Sequence, residues 1–169
     1  SILSSVPGSR LVLKATGFED QMTISLLRRR IHRAGLSLES IDFLPFSNLV
    51  SEHLSQYRFV DIALDPFPNG GCTTTAEALW MGVPVITLKG NSYVSRMSTA
   101  VLRGANLHQL VAENYNDYCN LAIEHAANLK DLRNSRMNWR EKLINSDLGD
   151  ANTLKTNLEG AFMNMFNQI

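Results

Sequence analysis

Cysteine is scarce in this chain: Cys72 and Cys119 are the only two in 169 residues. They lie far apart, match no zinc-ligand spacing and suggest no disulfide framework, so a reducing, cytoplasmic setting is the expectation. An excess of one charge is also missing. Sixteen Lys and Arg balance sixteen Asp and Glu. Proteins that grip a phosphate backbone usually carry a basic excess or stripe, so no nucleic-acid partner is expected. No apolar run approaches the ~20 residues needed to cross a bilayer, and no secretory leader pattern is present, so no membrane association is expected either. An initiator methionine is absent; the chain opens at Ser1 and reads as a piece of something larger.

What is present suits one domain with an apolar core. The chain is 44% hydrophobic and 8% aromatic, with a mean hydropathy of −0.10, which excludes a disordered or low-complexity chain. Residues 1–5 read as the tail of a helix, and Val6-Pro7-Gly8-Ser9 as a turn. Short apolar runs at 10–15, 41–44, 60–64 and 83–88 read as strands, with a short edge strand within 107–112. Helical patterns fall between them at 20–34, 49–56, 76–81 and 95–102. Beyond 113 the pattern is helical, at about 114–128, 130–145 and 151–166. In the first of these helices Met22, Ile24, Leu26, Leu27 and Ile31 supply the apolar side and Gly35 the stop. Leu79 and Trp80 are expected to point inward. Strands alternating with helices predict an α/β fold: a single Rossmann-like domain over residues 1–169, its parallel sheet flanked by helices. The C-terminal helices are expected to pack across the sheet or extend toward a neighbour.

Ligands of open parallel sheets sit beyond the carboxyl ends of the strands. The segment best placed for this is Asp65-Pro66-Phe67-Pro68-Asn69-Gly70-Gly71-Cys72-Thr73-Thr74-Thr75-Ala76-Glu77. Gly70 and Gly71 remove side chains where the backbone approaches something closely. Thr73, Thr74 and Thr75 bring hydroxyls to a helix start, which adds unpaired amides and the positive end of the macrodipole. Such a start cradles phosphate without a metal. Glu77, about one turn further in, is an acceptor suited to ribose hydroxyls. The same residues also fit a capping box, with Thr74 as N-cap and Glu77 reaching back to it. Glycine-rich turns ahead of helices mostly bind nothing, so pattern alone favours the cap. Neither Gly-x-Gly-x-x-Gly nor a Walker spacing occurs.

The run Asp61-Ile62-Ala63-Leu64-Asp65-Pro66-Phe67-Pro68, with Gly70-Gly71, Thr73-Thr74 and Glu77-Ala78-Leu79-Trp80-Met81-Gly82-Val83-Pro84-Val85, resembles the C-terminal catalytic half of the O-linked N-acetylglucosamine transferase and SPINDLY family. Bacterial members often fuse this half to tetratricopeptide repeats. The resemblance continues through Ser95-Arg96 and back through Pro7-Gly8-Ser9-Arg10-Leu11 and Ile41-Asp42-Phe43, covering nearly the whole chain. It implies the C-terminal half of a GT-B glycosyltransferase with extra C-terminal helices. It implies inverting transfer of N-acetylglucosamine from UDP-N-acetylglucosamine to Ser or Thr of a protein acceptor. GDP-fucose, used by SPINDLY-type relatives, is the alternative donor. A non-catalytic nucleotide-binding or scaffold module is the alternative from another class. Thr73 and Thr74 are implied to face the diphosphate, with Gly71 and Cys72 in the same loop, Glu77 at the ribose, and His53 near the base or pyrophosphate. No cofactor beyond the donor and no metal site are implied, and no Asp-x-Asp occurs in the chain.

The general base, the acceptor half and a pyrophosphate-contacting lysine are expected outside the chain, which alone is expected to bind nucleotide weakly at most. Three departures stand out. Cys72 replaces a histidine of animal members. Asn69-Gly70-Gly71 is one residue shorter than the bacterial Pro-Tyr-Asn-Gly-Gly form. The base-contacting lysine of animal enzymes is not evident around Leu49-Val50.

Other conspicuous residues read blandly. Arg28-Arg29-Arg30 with His32 and Arg33 is expected to be a solvated helix face. His108 and His125 lack any paired ligand spacing. Arg96 is a candidate for phosphate or acceptor contact, or for a plain ion pair. Trp80 and Trp139 are expected to pack, and Met163 and Met165 to make apolar contacts.

Overall fold

The computed structural model describes residues 2–168. It contains two compact units, one reaching to Val60 and one starting at Asp61. The first unit contains α1 (Ile2–Ser5), β1 (Leu11–Lys14), α2 (Gln21–Arg33), β2 (Ile41–Leu44) and α3 (Val50–Ser55), with short 3-10 turns at Leu38–Ser40 and Gln56–Phe59. β1 and β2 pair in parallel, from Leu11 opposite Ile41 to Lys14 opposite Leu44. Arg10 ties the two together: it makes two bonds to the Asp42 carboxylate, at 2.7 and 2.6 Å, and a third to the Glu39 carbonyl at 2.7 Å.

Both ends of α2 are explained by single residues. The Asp20 carboxylate accepts from the Met22 amide at 3.3 Å and the Thr23 amide at 2.8 Å, which satisfies donors the helix itself cannot. Gly35, at φ +77°, turns the chain out of the helix. The buried side is narrower than periodicity predicts. Ile24, Leu27 and Ile31 turn inward, whereas Met22 and Leu26 are exposed. Arg28, Arg29 and Arg30 are exposed, as expected of a solvated face.

The second unit contains β3 (Ala63–Leu64), α4 (Thr73–Trp80), β4 (Val85–Leu88), α5 (Met97–Gly104), β5 (Val111–Ala112), α6 (Tyr115–Ala127), α7 (Leu129–Asn134), α8 (Arg136–Ile144) and α9 (Ala151–Phe166). Its strands are parallel in the order β3-β4-β5, with β5 at the edge as expected. Leu79, Val83, Ile86, Leu102, Leu107 and Leu110 are fully buried and form its core. α6 packs on β4 and β5, and α8 on α4. α9 stays exposed over nearly its whole length, Met163 and Met165 included. The α/β architecture of parallel strands flanked by helices is the predicted one.

Four local expectations are corrected. β3 is two residues long, not five. α4 begins at Thr73 rather than Ala76. The long helix predicted at 130–145 is two helices, joined at Ser135. Gly82 sits against this junction at φ +75°, and a Cβ on it would come within 2.6 Å of the Arg136 carbonyl. Trp80 does not face inward beside Leu79; it is 42% exposed, and the Arg140 guanidinium lies 4.3 Å from its ring centroid. One residue step on a helix is ~100°, so these neighbours cannot share a face. Trp139, by contrast, is buried as expected.

Two stability predictions follow from these contacts. Ile86→Ala removes a fully buried side chain from β4 and should cost ~2–5 kcal/mol of unfolding free energy in urea titrations. The second concerns pH. The Thr23 hydroxyl, then the amides of Thr23 and Met22, hold the Asp20 carboxyl below its ordinary 3.8. A depressed carboxyl contributes stability that is complete above its unfolded value and lost as pH falls through the folded one. Asp20→Ala should therefore melt below the wild type at neutral pH, and the gap should close as the pH falls below 3.8. A gap independent of pH in thermal melts would contradict this.

Candidate functional site

The carboxyl end of β3 opens into a loop that enters α4. The Asp65 amide donates to the Ile86 carbonyl at 2.9 Å, ending the pairing with β4. Pro66 and Pro68 then carry the chain outward, with the Phe67–Pro68 bond cis. The Phe67 ring lies edge-on to Tyr118, 5.4 Å between centroids, and to Tyr115, at 6.2 Å. α4 starts at Thr73 with Cys72 in the capping position, and no side chain caps it. The capping box predicted for Thr74 and Glu77 is therefore not formed: Thr74 is the second residue of the helix, too far in to cap it.

The consequence for chemistry is direct. The first intrahelical bond runs from the Ala76 amide to the Cys72 carbonyl at 3.2 Å. The amides of Thr73, Thr74 and Thr75 lie ahead of that ladder, at the positive end of the helix. Cys72, Thr73 and Thr74 are exposed, and Glu77 is half-buried one turn further along. Gly71, Cys72, Thr73, Thr74 and Glu77 are thus brought together by one loop and one helix.

Gly71 plays a different part from its neighbours. Its amide donates to Asp65 Oδ1 at 2.8 Å, and its carbonyl accepts from Ser98 Oγ at 2.7 Å. Both polar groups of this residue are committed inside the protein, so it shapes the loop. The close approach predicted for the glycine pair is to protein side chains. A Cβ on Gly70 would lie 2.9 Å from Asp65 Oδ2 and 3.0 Å from Ser98 Oγ. A Cβ on Gly71 would collide with Thr74 Oγ1 and sit 3.2 Å from Thr75 Oγ1.

His53 lies in the first unit, half-buried on α3. Its Nδ1 is 2.7 Å from Lys14 Nζ, and its ring stands edge-on to Tyr57 at 5.7 Å between centroids. An ammonium has only donors, so a protonated Lys14 requires Nδ1 to accept, which places the ring proton on Nε2. Lys14 ends β1, and a basic residue at a strand's carboxyl end is the signal that would have singled it out.

Thr87, Ser98 and Tyr118 were not singled out by the sequence, and Asp65 and Thr75, although inside the chosen segment, take inward-facing roles it did not suggest. The Tyr118 hydroxyl donates to the Asp65 carbonyl at 3.0 Å. Burial first, then the Asp65 charge, pushes this phenol well above its usual range, so it remains a donor at any working pH. Of the remaining residues singled out earlier, Arg96 is exposed just ahead of α5. His125 is half-buried, 6.3 Å from the Trp139 ring centroid, and burial lowers its pKa. Among the described residues there is no group of three or more His, Cys, Asp or Glu placed to hold a metal ion. No helix among them is long and apolar enough to cross a membrane.

The tight space around Gly71 yields a paired prediction. Gly71→Ala must displace Thr74 or the loop and should cost ~1–3 kcal/mol. Gly160→Ala, mid-helix in α9 with nothing within 4 Å of the added carbon, should stabilise α9 by ~1 kcal/mol. Chemical denaturation of the two variants measures both.

Comparison with known proteins places this geometry in context. Residues 1–158 match the glycosyl transferase family 41 model. A Petunia hybrida protein named "Probable UDP-N-acetylglucosamine-peptide N-acetylglucosaminyltransferase SPINDLY" is 35% identical over 165 residues, 98% of this chain and 18% of its own length. The UDP-N-acetylglucosamine-peptide N-acetylglucosaminyltransferase of Caenorhabditis elegans is 30% identical over 137 residues, 80% of this chain and 11% of its own. A solved structure of a mutant Thermobaculum terrenum O-GlcNAc transferase superimposes with a TM-score of 0.86 at 35% identity, over 99% of this chain and 32% of that one. The chain thus spans less than a fifth of the length of the curated relatives it matches. A match over almost the whole sequence, joined to an α/β unit with an uncapped helix behind its glycine pair, means that the chain belongs to glycosyl transferase family 41.

Proposed function

We propose that this chain is the nucleotide-sugar-binding half of an inverting protein O-glycosyltransferase that moves N-acetylglucosamine from UDP-N-acetylglucosamine to a Ser or Thr hydroxyl of a protein. The observation that carries the reading is the uncapped N-terminus of α4. Two threonines that cap helices well elsewhere, Thr73 and Thr74, lie inside the helix instead, with their amides toward its open end. The donor and acceptor are supported by the relatives' names, which specify UDP-N-acetylglucosamine and a peptide. Those names lend no support to GDP-fucose.

In the proposed reaction the acceptor oxygen bonds to the anomeric carbon as the bond from that carbon to the β-phosphate oxygen breaks. The diphosphate leaves with the electron pair. The acceptor proton passes to a general base that no residue of this chain is assigned to be. This chain's own residues act on the leaving group. The amides of Thr73, Thr74 and Thr75 meet charge as it grows on the β-phosphate. A single preorganised donor of this type is worth ~2.7–4 kcal/mol in well-studied hydrolases. Glu77 accepts hydrogen bonds from the ribose hydroxyls. His53 is carried by the family resemblance alone, as a contact of the base or pyrophosphate. An N-terminal catalytic half and tetratricopeptide repeats belong to the proposal on the same footing.

Calorimetric titration of the full-length protein with UDP, GDP, UDP-N-acetylglucosamine and GDP-fucose tests the reading. UDP and its sugar should bind. Binding of the guanosine ligands alone would move the chain to fucose transfer, and binding of none would leave a scaffold module. Thr74→Ala should weaken UDP binding by roughly tenfold, as loss of a polar phosphate contact would. Thr74 is not the cap, so any fall in melting temperature should be too small to account for the lost binding. A fall in melting temperature that accounts for all of the lost binding would reduce Thr74 to a structural residue.

A further inference from the structure

Behind the open end of α4 lies a closed polar network that no ligand-binding role accounts for. Its centre is Asp65, 6% exposed. Each polar group of this residue is engaged. The amide bonds to the Ile86 carbonyl at 2.9 Å, and the carbonyl accepts from Tyr118 Oη at 3.0 Å. Oδ1 accepts from the Gly71 amide at 2.8 Å and Oδ2 from Thr87 Oγ1 at 2.6 Å. The network continues through Gly71, whose carbonyl accepts from Ser98 Oγ, which in turn accepts from Thr75 Oγ1 at 3.0 Å. Thr75, Thr87 and Ser98 are 2%, 1% and 0% exposed. Five elements are joined: the end of β3, β4 through Thr87, α4 through Thr75, α5 through Ser98 and α6 through Tyr118.

A buried carboxylate is costly unless strong donors meet it, and here a hydroxyl and a peptide amide do. The arrangement grips one residue through the two peptide units that flank it. With its amide tied to Asp65 and its carbonyl tied to Ser98, Gly71 cannot rotate without breaking a part-buried hydrogen bond. Each such break leaves a desolvated group unpaired. The glycine pair fits because the volume a side chain would need is filled by Asp65, Ser98, Thr74 and Thr75. Cys72 follows directly, and the three threonine amides follow Cys72. Fixing the Gly71 peptide therefore fixes the direction in which the mouth of α4 points.

We infer that Asp65 and Ser98 are positioning residues that clamp Gly71 at both of its peptide units and so preorganise the α4 amides for a nucleoside diphosphate. The inference rests on the diphosphate reading above and deepens it. Neither side chain needs to touch the ligand. Asp65 acts through the Gly71 amide, Ser98 through the Gly71 carbonyl, and Thr87 holds the carboxylate in register. A floppy loop would let the amides reorganise as charge develops, which is the loss that preorganisation avoids.

The test uses the full-length protein with UDP as the probe, alongside amide hydrogen exchange. In the wild type the Gly71 amide should exchange slowly. In Ser98→Ala and Asp65→Ala it should exchange faster, and the UDP Kd should rise about tenfold or more. Thr87→Val should act in the same direction, while Thr87→Ser, which keeps the hydroxyl, should restore wild-type binding. Asp65→Asn keeps an oxygen for the Gly71 amide and should recover most of what Asp65→Ala loses. If Asp65→Ala does not fold, Ser98→Ala and the Thr87 pair carry the test. Unchanged UDP affinity in Ser98→Ala despite faster Gly71 exchange would overturn the clamp. So would loss of affinity accompanied by equally fast exchange at core amides such as Leu102 and Leu107, since that is general destabilisation. A wild type that binds no UDP would sink the diphosphate reading itself and the clamp with it. Normal wild-type binding with indifferent variants would sink the clamp alone.

Discussion

A charged oxygen pair buried at the end of β3 organises the second unit around it. Asp65 meets the Thr87 hydroxyl from the neighbouring strand and the Gly71 amide from the loop that follows it. Its burial obliges the chain to bring donors, and those donors belong to pieces that must be correctly placed for the bonds to close. The sheet pairing, the path of the proline-rich loop and the start of α4 are therefore not independent. They share one set of hydrogen bonds, with the Tyr118 hydroxyl of α6 closing the remaining carbonyl. Apolar burial at Ile86 and Leu79 supplies the bulk of the driving force, but it has no directional preference. The polar centre is what selects one loop conformation from the many that would bury the same area.

Much of the architecture could be read from the chain because it is written in local rules. Asp20 ahead of a periodic run and Gly35 behind it mark α2 to within a residue. The apolar runs at Leu11–Lys14, Ile41–Leu44 and Val85–Leu88 are strands where they were expected. The failures share a cause. Whether Thr74 caps a helix or lies inside it depends on Gly71 being held by Asp65 and Ser98, residues 6 and 27 positions away. The break at Ser135 falls where the backbone of Arg136 comes against Gly82, more than fifty positions back in the chain. Each is a tertiary contact, invisible to a window of neighbouring residues.

The candidate site divides along the same line. The threonines, the glycine pair and Glu77 could be picked out because helix starts carry a recognisable composition. Their separate roles could not. Gly71, expected near the ligand, turns out to be bonded inward at both its amide and its carbonyl. Ser98 sits in a helix with no distinguishing pattern, and Lys14, marked in the sequence by its place at the end of β1, gains its partner only when His53 is found 2.7 Å away. The relatives' names supply what geometry lacks, a donor and an acceptor to propose, while geometry adds which groups stand together at the start of α4.

The bare position at Gly82 limits how this lineage can drift. It closes α4 in the left-handed region and leaves room for the backbone at the head of α8. Any replacement, even alanine, would be strained in its own torsion and would also push α8 outward, loosening the seat of Trp139 and Leu143. A codon well away from the threonines at the start of α4 is thus expected to be intolerant of change, for reasons of space rather than chemistry.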